Sequence, residues 1–207
     1  MKYELAKYEI KKHKIFNAAF KQIYEQGIAR ITMRSIAKEV KVNQALLHYY
    51  FKDKENLLSE FIHILFNRFI YDIEKRYKES DPPGKKLEAF FTAGKDFLEK
   101  QRELFVVMID AWAYCFRSKK LQKDYAALNR RLTGVMKNIV VEGKESGFFN
   151  NVHEDTLAIL FVSFVVGIGC LWHMDNRSFN LSEEFDIMTR NLRQLILRND
   201  TGNKPLL

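Results

Sequence analysis

The sequence predicts an all-α protein of about nine helices, and three observations carry that prediction. Apolar residues recur at helical spacing along most of the chain, while alternating runs bounded by turn residues, the mark of strands, are absent. The 207 residues include only three prolines, Pro82, Pro83 and Pro205, which leaves long stretches free to coil. Hydrophobic residues make up 47% of the chain, enough for a substantial core.

The elements follow in order. The first helix runs from about Lys11 to Gln26, with Ile15, Ala18, Ala19 and Ile23 inward, and Gly27 ends it. The second, Met33 to Val40, opens at Thr32, whose hydroxyl can accept an orphan amide of the first turn. Ile36, Ala37 and Val40 form its narrow apolar stripe. Asn43 caps a third helix, Gln44 to about Tyr50, whose Leu47 and Phe51 turn back towards that stripe. Asp53 caps a fourth, Lys54 to about Lys78, and Pro82-Pro83-Gly84 terminate it. The fifth covers about Lys85 to Lys100 and the sixth about Glu103 to Phe116. The seventh covers Leu121 to about Glu145 and the eighth about Glu154 to Met174. The ninth starts after Ser182 and ends near Asn199, with Phe185, Met188, Leu192 and Leu195 as its stripe. The expected domains are residues 1–53 and 54–200, and residues 201–207 are expected to be a disordered tail.

The second and third helices carry the strongest functional signal. A helix as short as the third is marginal alone in water and must be held from beneath. Its outer side then presents Gln44, Ala45, Leu46, His48, Tyr49 and Tyr50, a set of donors, acceptors and flat rings. This is the plan of a helix-turn-helix, whose second helix enters the DNA major groove. Charge agrees with it. Of the net +8, +6 lies in residues 1–55, which hold 12 Lys or Arg against 6 Asp or Glu. That places the positive field beside the reader helix, where phosphates require it. Lys11, Lys12 and Lys14 either touch the DNA backbone or only raise the local potential.

The run from Ile15 to Leu58 resembles the DNA-binding domain of the TetR-type bacterial regulators. The likeness begins at Ile15-Phe16-Asn17-Ala18-Ala19-Phe20, continues through Glu25-Gln26-Gly27 and Ile31-Thr32-Met33-Arg34-Ser35-Ile36-Ala37, and closes with Leu47-His48-Tyr49-Tyr50-Phe51-Lys52-Asp53-Lys54-Glu55-Asn56-Leu57-Leu58. Gly143-Lys144-Glu145-Ser146-Gly147-Phe148-Phe149, followed by Thr156-Leu157-Ala158, is similar to the turn that leads into the family's dimerisation helices. Three positions depart from the common pattern: Lys41 stands where Gly is usual, Leu46 where Thr is frequent and His48 where Tyr is frequent. If the turn needs a left-handed residue, Lys41 costs up to roughly 1–2 kcal/mol relative to Gly.

The resemblance implies a DNA-binding set of Thr32, Arg34, Asn43, Gln44, Ala45, Leu46, His48, Tyr49, Tyr50 and Lys54. Lys54 lies in the first turn of the fourth helix, where a bound phosphate would gain both the ammonium and free amides. Gln44 can pair with adenine N6 and N7, and Arg34 either reaches guanine or is a plain surface residue. Ala45 and Leu46 suit thymine methyls, with packing against the first helix the alternative for Leu46. Tyr49 and Tyr50 suit phosphates, and His48 suits either partner.

A homodimer on a pseudo-palindromic operator in double-stranded DNA follows from the same family pattern, with the eighth and ninth helices as the interface. Ser163, Gly167, Cys170, Met188, Leu192 and Leu195 are the expected interface residues. The family also implies a small-molecule site in the helical body. Phe90, Phe97, Met108, Trp112, Phe116, Phe161 and Trp172 either line it or fill the core, and the aromatic content suits an apolar or aromatic ligand. Asp110, the one charge in the run Leu104 to Phe116, is expected to face solvent, with a counter-ion to a cationic ligand as the alternative.

Other classes are disfavoured. His13, His48, His63, His153 and His173 are scattered, with no metal spacing, no catalytic triad pattern and no glycine-rich phosphate loop, so neither an enzyme nor a metal or other cofactor is expected. Cys115 and Cys170 sit in apolar helical runs and read as small hydrophobes. The charged start Met1-Lys2-Tyr3-Glu4 is no signal peptide, so a cytoplasmic location is expected. Thr156 to Trp172 is uncharged over seventeen residues, at the lower edge of a membrane span. The preferred reading is a buried helix, facing its own core through Leu157, Phe161, Phe164 and Ile168 and a partner through Ser163, Gly167 and Cys170. The function expected is a dimeric, sequence-specific repressor released by a small ligand. The alternative is an architectural or cell-division DNA-binding factor of the same fold without an inducer.

Overall fold

A computed structural model describes residues 2–197, with side chains from residue 11 onward. Among these residues there are nine α-helices and no strand. They are α1 (Lys2–Gln26), α2 (Met33–Glu39), α3 (Gln44–Tyr50), α4 (Lys54–Glu74), α5 (Pro83–Lys100), α6 (Arg102–Cys115), α7 (Lys119–Glu145), α8 (Glu154–Met174) and α9 (Leu181–Ile196). One isolated bridge pairs Phe149 with Leu197. The all-α class and the helix order are those the sequence predicts.

The ends differ where local chemistry overrides the pattern. α1 begins at Lys2 rather than near Lys11, because no glycine or proline interrupts residues 2–10. α4 stops at Glu74 instead of Lys78, and the Asp81 carboxylate then takes the amide of Lys78 at 2.7 Å to shape a turn. α9 starts at Leu181 because Asn180 caps it, accepting the amide of Glu183 at 3.3 Å. The expected end near Asn199 and the expected tail of residues 201–207 lie outside the described residues.

The chain forms two compact units, drawn differently from the expected division at residue 53. The first comprises residues 1–67 and 102–128, and the second residues 68–101 and 129–207. In the first unit, α1 contributes Ile15, Phe16, Ala19 and Ile23 to a core completed by Ile36, Leu47, Phe51, Leu57, Leu58 and Phe61. Phe16 meets the Phe51 ring edge-on at 5.4 Å. Lys12 is drawn inward, pairing with Glu60 and lying about 6 Å from the rings of Phe16 and Phe51. Gln22, polar yet buried, is satisfied by one residue of α2: its Nε2 donates to the Ser35 carbonyl at 3.1 Å, and its Oε1 accepts from the Ser35 hydroxyl at 2.7 Å. A buried amide matched at both ends fixes the register of α2 on α1.

In the second unit, rings carry the core. Phe161 of α8 lies 5.2 Å from Phe90 and 4.9 Å from Phe91, and 6.2 Å from Phe185 of α9. Lys86 is buried and kept charged, its Nζ donating to both oxygens of Glu142 at 2.9 and 2.8 Å. Gly143 allows the turn after α7 to close. The Phe149 ring lies where a Cβ would stand only 1.9 Å away, and the Gly143 carbonyl accepts the amides of both Phe148 and Phe149.

Among the described residues outside glycine, Lys41 alone has a positive φ, 56°. Its left-handed backbone sits in the turn between α2 and α3, where Val42 donates back to the Ala37 carbonyl at 3.0 Å. Because a Cβ there crowds the next carbonyl, Lys41→Gly is expected to stabilise the protein by about 1 kcal/mol, net of glycine's extra unfolded-state freedom. Thermal unfolding should then show a midpoint roughly 2–4 °C higher; an unchanged or lower midpoint would contradict the strain.

Candidate nucleic-acid interface

The helix-turn-helix is built from caps and one buried leucine. Thr32 Oγ1 accepts the amide of Ser35 at 3.0 Å, and Ser35 Oγ accepts the amide of Thr32 at 3.0 Å, so the two hydroxyls cap each other's backbone. The Thr32 hydroxyl hydrogen is left over for an outside acceptor. Asn43 Oδ1 accepts the amide of Leu46 at 2.7 Å and starts α3. This occupies the side-chain oxygen of Asn43 in capping. Leu47 is fully buried and anchors α3 from below, contributing about 1.5–3 kcal/mol.

That anchoring sets the outward face. Gln44, Ala45, His48 and Tyr49 are exposed, while Leu46 and Tyr50 are half-buried. Tyr49 is 77% exposed, with its ring 5.6 Å from that of Tyr50. Arg34 of α2 and its cap Thr32 are exposed.

Lys54 is placed differently from a free phosphate ligand. Its Nζ donates to the Ile28 carbonyl at 2.6 Å and lies 5.4 Å from the Tyr114 ring. Burial pushes its pKa down, and Asp110 nearby opposes that shift. An ammonium has three N–H groups, so this one contact leaves two for a phosphate.

Asp110 corrects an expectation. It does not simply face solvent: its Oδ2 accepts the amide of Ile28 at 2.5 Å. Both polar groups of the buried Ile28 are thus held by side chains, one from α6 and one from α4. Gly27, at φ 82°, bends the chain out of α1 to present that peptide. Neither contact was visible in the sequence, because a backbone group serves as partner and carries no residue signature.

A protein-family model described as "Bacterial regulatory proteins, tetR family" matches residues 15–61, the segment that holds the helix-turn-helix. Residues 15–61 are thus similar to the N-terminal domain of the TetR family. Among curated relatives, an uncharacterised HTH-type transcriptional regulator of Haemophilus influenzae is 34% identical over 68 residues, 33% of this chain and 36% of that protein. The HTH-type transcriptional regulator BetI of Burkholderia mallei is 24% identical over 125 residues, 60% of this chain and 64% of that protein. The chain therefore matches less than two thirds of the length of either relative. Of solved structures, a Saccharomonospora viridis protein described as a transcriptional regulator, in complex with choline, superposes with a TM-score of 0.79 at 16% identity. That superposition covers 92% of this chain and 100% of the other, and it shows the fold.

The helical body of the chain sorts the expected pocket residues into two places. Phe90, Phe97 and Phe161 are buried in the second unit, and Trp172 lines a surface groove of about 550 Å³ with Glu99, Arg177 and Phe179. Met108 and Trp112 belong to the first unit and are half-buried. Trp112 stands edge-on to Tyr125 at 5.5 Å, and Tyr125 edge-on to Phe66 at 5.4 Å. The Trp112 indole nitrogen is buried and makes no hydrogen bond of acceptable geometry, although the Tyr125 hydroxyl is near enough to be influenced by it. Burial pushes the Tyr125 hydroxyl far above its usual range and the Cys115 thiol up to about 11. Phe116 departs from the expectation: it falls beyond the last turn of α6 and is 81% exposed.

The expected interface residues divide as well. Ser163 and Gly167 are exposed, and Cys170 and Met188 half-buried. Leu195 is 67% exposed, whereas Leu192 is 6% exposed and belongs to the chain's own core, against the expectation. Helical phase explains it, since Leu192 shares the inner face with Phe185 and Thr189. The sequence reading missed Ile159, Leu160, Leu171 and Met174, which are exposed and join Ser163 and Gly167 in one stripe along α8. α8 is long and apolar enough to cross a membrane by length and composition, and only a third of its apolar window is buried.

Asp110→Ala should strand the Ile28 amide and lower stability by about 1–3 kcal/mol, with Asp110→Asn losing less because an acceptor remains. Urea unfolding of the three proteins checks this; equal stability of Asp110→Ala and wild type would contradict the contact.

Proposed function

We propose that this chain is a dimeric, sequence-specific DNA-binding transcriptional regulator of the cytoplasm, a repressor released from a pseudo-palindromic operator by a small ligand. The observation that carries the reading is the outward face of α3, where Gln44, His48 and Tyr49 stand exposed on a helix pinned by buried Leu47. Gln44 reads a base edge in the major groove, Arg34 a neighbouring one, and Thr32, Tyr49, Tyr50 and Lys54 hold phosphates. Ala45 and Leu46 meet thymine methyls, and Asn43 holds the start of the reader in place.

One reader buries too little surface to bind one site tightly. The apolar stripe of α8 supplies the second copy. Ile159, Leu160, Leu171 and Met174 (83% exposed) form an apolar face around Ser163 and Gly167, and Leu195 of α9 is exposed as well. Small residues at the centre let two helices approach closely, and the membrane alternative lacks flanking apolar length, since Glu154, Asp155 and Asp175 bound the helix. Two readers about one DNA turn apart then demand a pseudo-palindrome.

The effector is proposed to be a small molecule with apolar or aromatic character. Trp112, Tyr125 and Phe66 offer it flat walls, and the buried indole N–H of Trp112 offers one donor. Two structural neighbours were solved with small molecules, choline in the S. viridis protein and triclosan in the protein called SmeT. Release follows if the ligand favours an arrangement of α6 that shifts the Ile28 contact and with it α1 and α4. To empty the operator almost fully, the ligand must prefer that state by about 5.5 kcal/mol.

Selection of bound duplexes from a random DNA pool, read by sequencing, should enrich a pseudo-palindrome. Uniform, salt-sensitive binding to all sequences would instead favour an architectural factor without an inducer. Gly167→Glu has no atom within 4 Å of its new Cβ in the single chain, so it should fold. It should nevertheless sediment as a monomer and bind the selected site at least tenfold more weakly, about 1.4 kcal/mol or more. A dimer of undiminished affinity would place the interface elsewhere.

A further inference from the structure

The exposed side chains of α3 are coupled to one another. Gln44 and His48, four residues apart, meet with 3.2 Å between Gln44 Nε2 and His48 Nε2. The other ring nitrogen, His48 Nδ1, lies 3.0 Å from the Lys52 carbonyl oxygen, just past the end of the helix. A carbonyl can only accept, so Nδ1 carries the ring hydrogen. In the neutral imidazole, Nε2 then presents a lone pair. Only a donor satisfies it, so Gln44 must turn its NH₂ group, not its oxygen, towards the ring.

This fixes what the amide has left for another molecule: one N–H, on the side of the oxygen, and Oε1 itself. A donor and an acceptor side by side on one planar group complement the N7 acceptor and N6 amino donor that adenine shows in the major groove. With the amide turned round, two N–H groups would face outward and suit the two acceptors of guanine, O6 and N7. The Lys52 carbonyl, through the imidazole, therefore selects which edge of Gln44 meets the DNA.

We propose that His48 is a positioning residue for base reading: it holds Gln44 in the orientation that prefers adenine and makes no base or phosphate contact of its own. The proposal rests on α3 being the DNA reader. It gives His48 a use in a place where the wider family pattern has tyrosine, and it makes base preference a property of the pair.

Selection from a random duplex pool tests it with wild type, Gln44→Ala, His48→Ala, His48→Glu and the double alanine variant, all compared by thermal melt to confirm folding. Wild type should prefer A·T at one position of each half-site. Gln44→Ala should flatten that position, and His48→Ala should flatten the same position, each losing about tenfold in discrimination. In the Gln44→Ala background, His48→Ala should change nothing further. His48→Glu, an acceptor at the same place, should keep the adenine preference while weakening binding to every sequence. The proposal is overturned if His48→Ala alters a different position, leaves the adenine preference intact, or lowers affinity further when Gln44 is already alanine. It is equally overturned if His48→Glu is as flat as His48→Ala. Wild type showing no preference at any position would instead overturn the reading of α3, and the two failures are thereby told apart.

Discussion

A single peptide residue carries much of the burden of the first unit. Ile28 is buried, so neither of its backbone polar groups can turn to water. The amide finds Asp110 from α6 and the carbonyl finds Lys54 from α4, each in place of a missing backbone partner. The end of α1 is thereby joined to two helices that lie far from it in sequence, Asp110 being 82 residues away. α2 hangs from α1 through Gln22 and Ser35, and α3 hangs from α2 through the turn at Lys41. The exposed face of α3 is set by its buried Leu47 and Phe51, on a first unit whose α1, α4 and α6 are tied together at Ile28. The low dielectric of that site makes both contacts strong when made and costly when lost.

How far this was legible in the sequence depended on whether the partners were local. The caps at Thr32 and Asn43, the inward Leu47 and the helix stop at Gly27 each leave a signature within four residues, and each stands where periodicity put it. Lys41 was legible too, as a residue in a position that wants glycine. Asp110 was not. Its helical phase pointed outward, and nothing in a linear pattern announces that a distant amide will come to meet it. Phe116 failed for a different reason. α6 ends at Cys115, so a residue counted as the helix's last inward position falls in the turn beyond and points into solvent. The register of α9 was legible only as a stripe, and the stripe mixed the inner Leu192 with the outer Leu195.

The contrast between α8 and α9 has a physical basis. α9 separates its polar and apolar sides, as a helix lying on a core should. α8 does not separate them: its outer side is as apolar as its inner, and its sequence alone reads as fully buried. Within one chain that second side stays exposed, with Leu171 and Met174 among the most open apolar residues described. Such a surface is held at a cost in water unless it is covered. In the proposed dimer this cost becomes the driving force, and folding and association draw on one hydrophobic reserve.

The turn after α7 has a different kind of consequence. Phe149 rests on Gly143 at a distance that leaves no room for a methyl group, and the chain then passes through Asn150, whose amide bonds the Ile196 carbonyl at 2.7 Å. Position 143 therefore tolerates one amino acid as long as the aromatic ring stays where it is. A glycine followed six residues later by an aromatic is a spelling rule that geometry imposes on any chain with this corner. Such a rule can recognise the start of the α8–α9 pair in a protein too diverged for its identity to be informative, and a codon change at that site would be read by folding before it could be read by function.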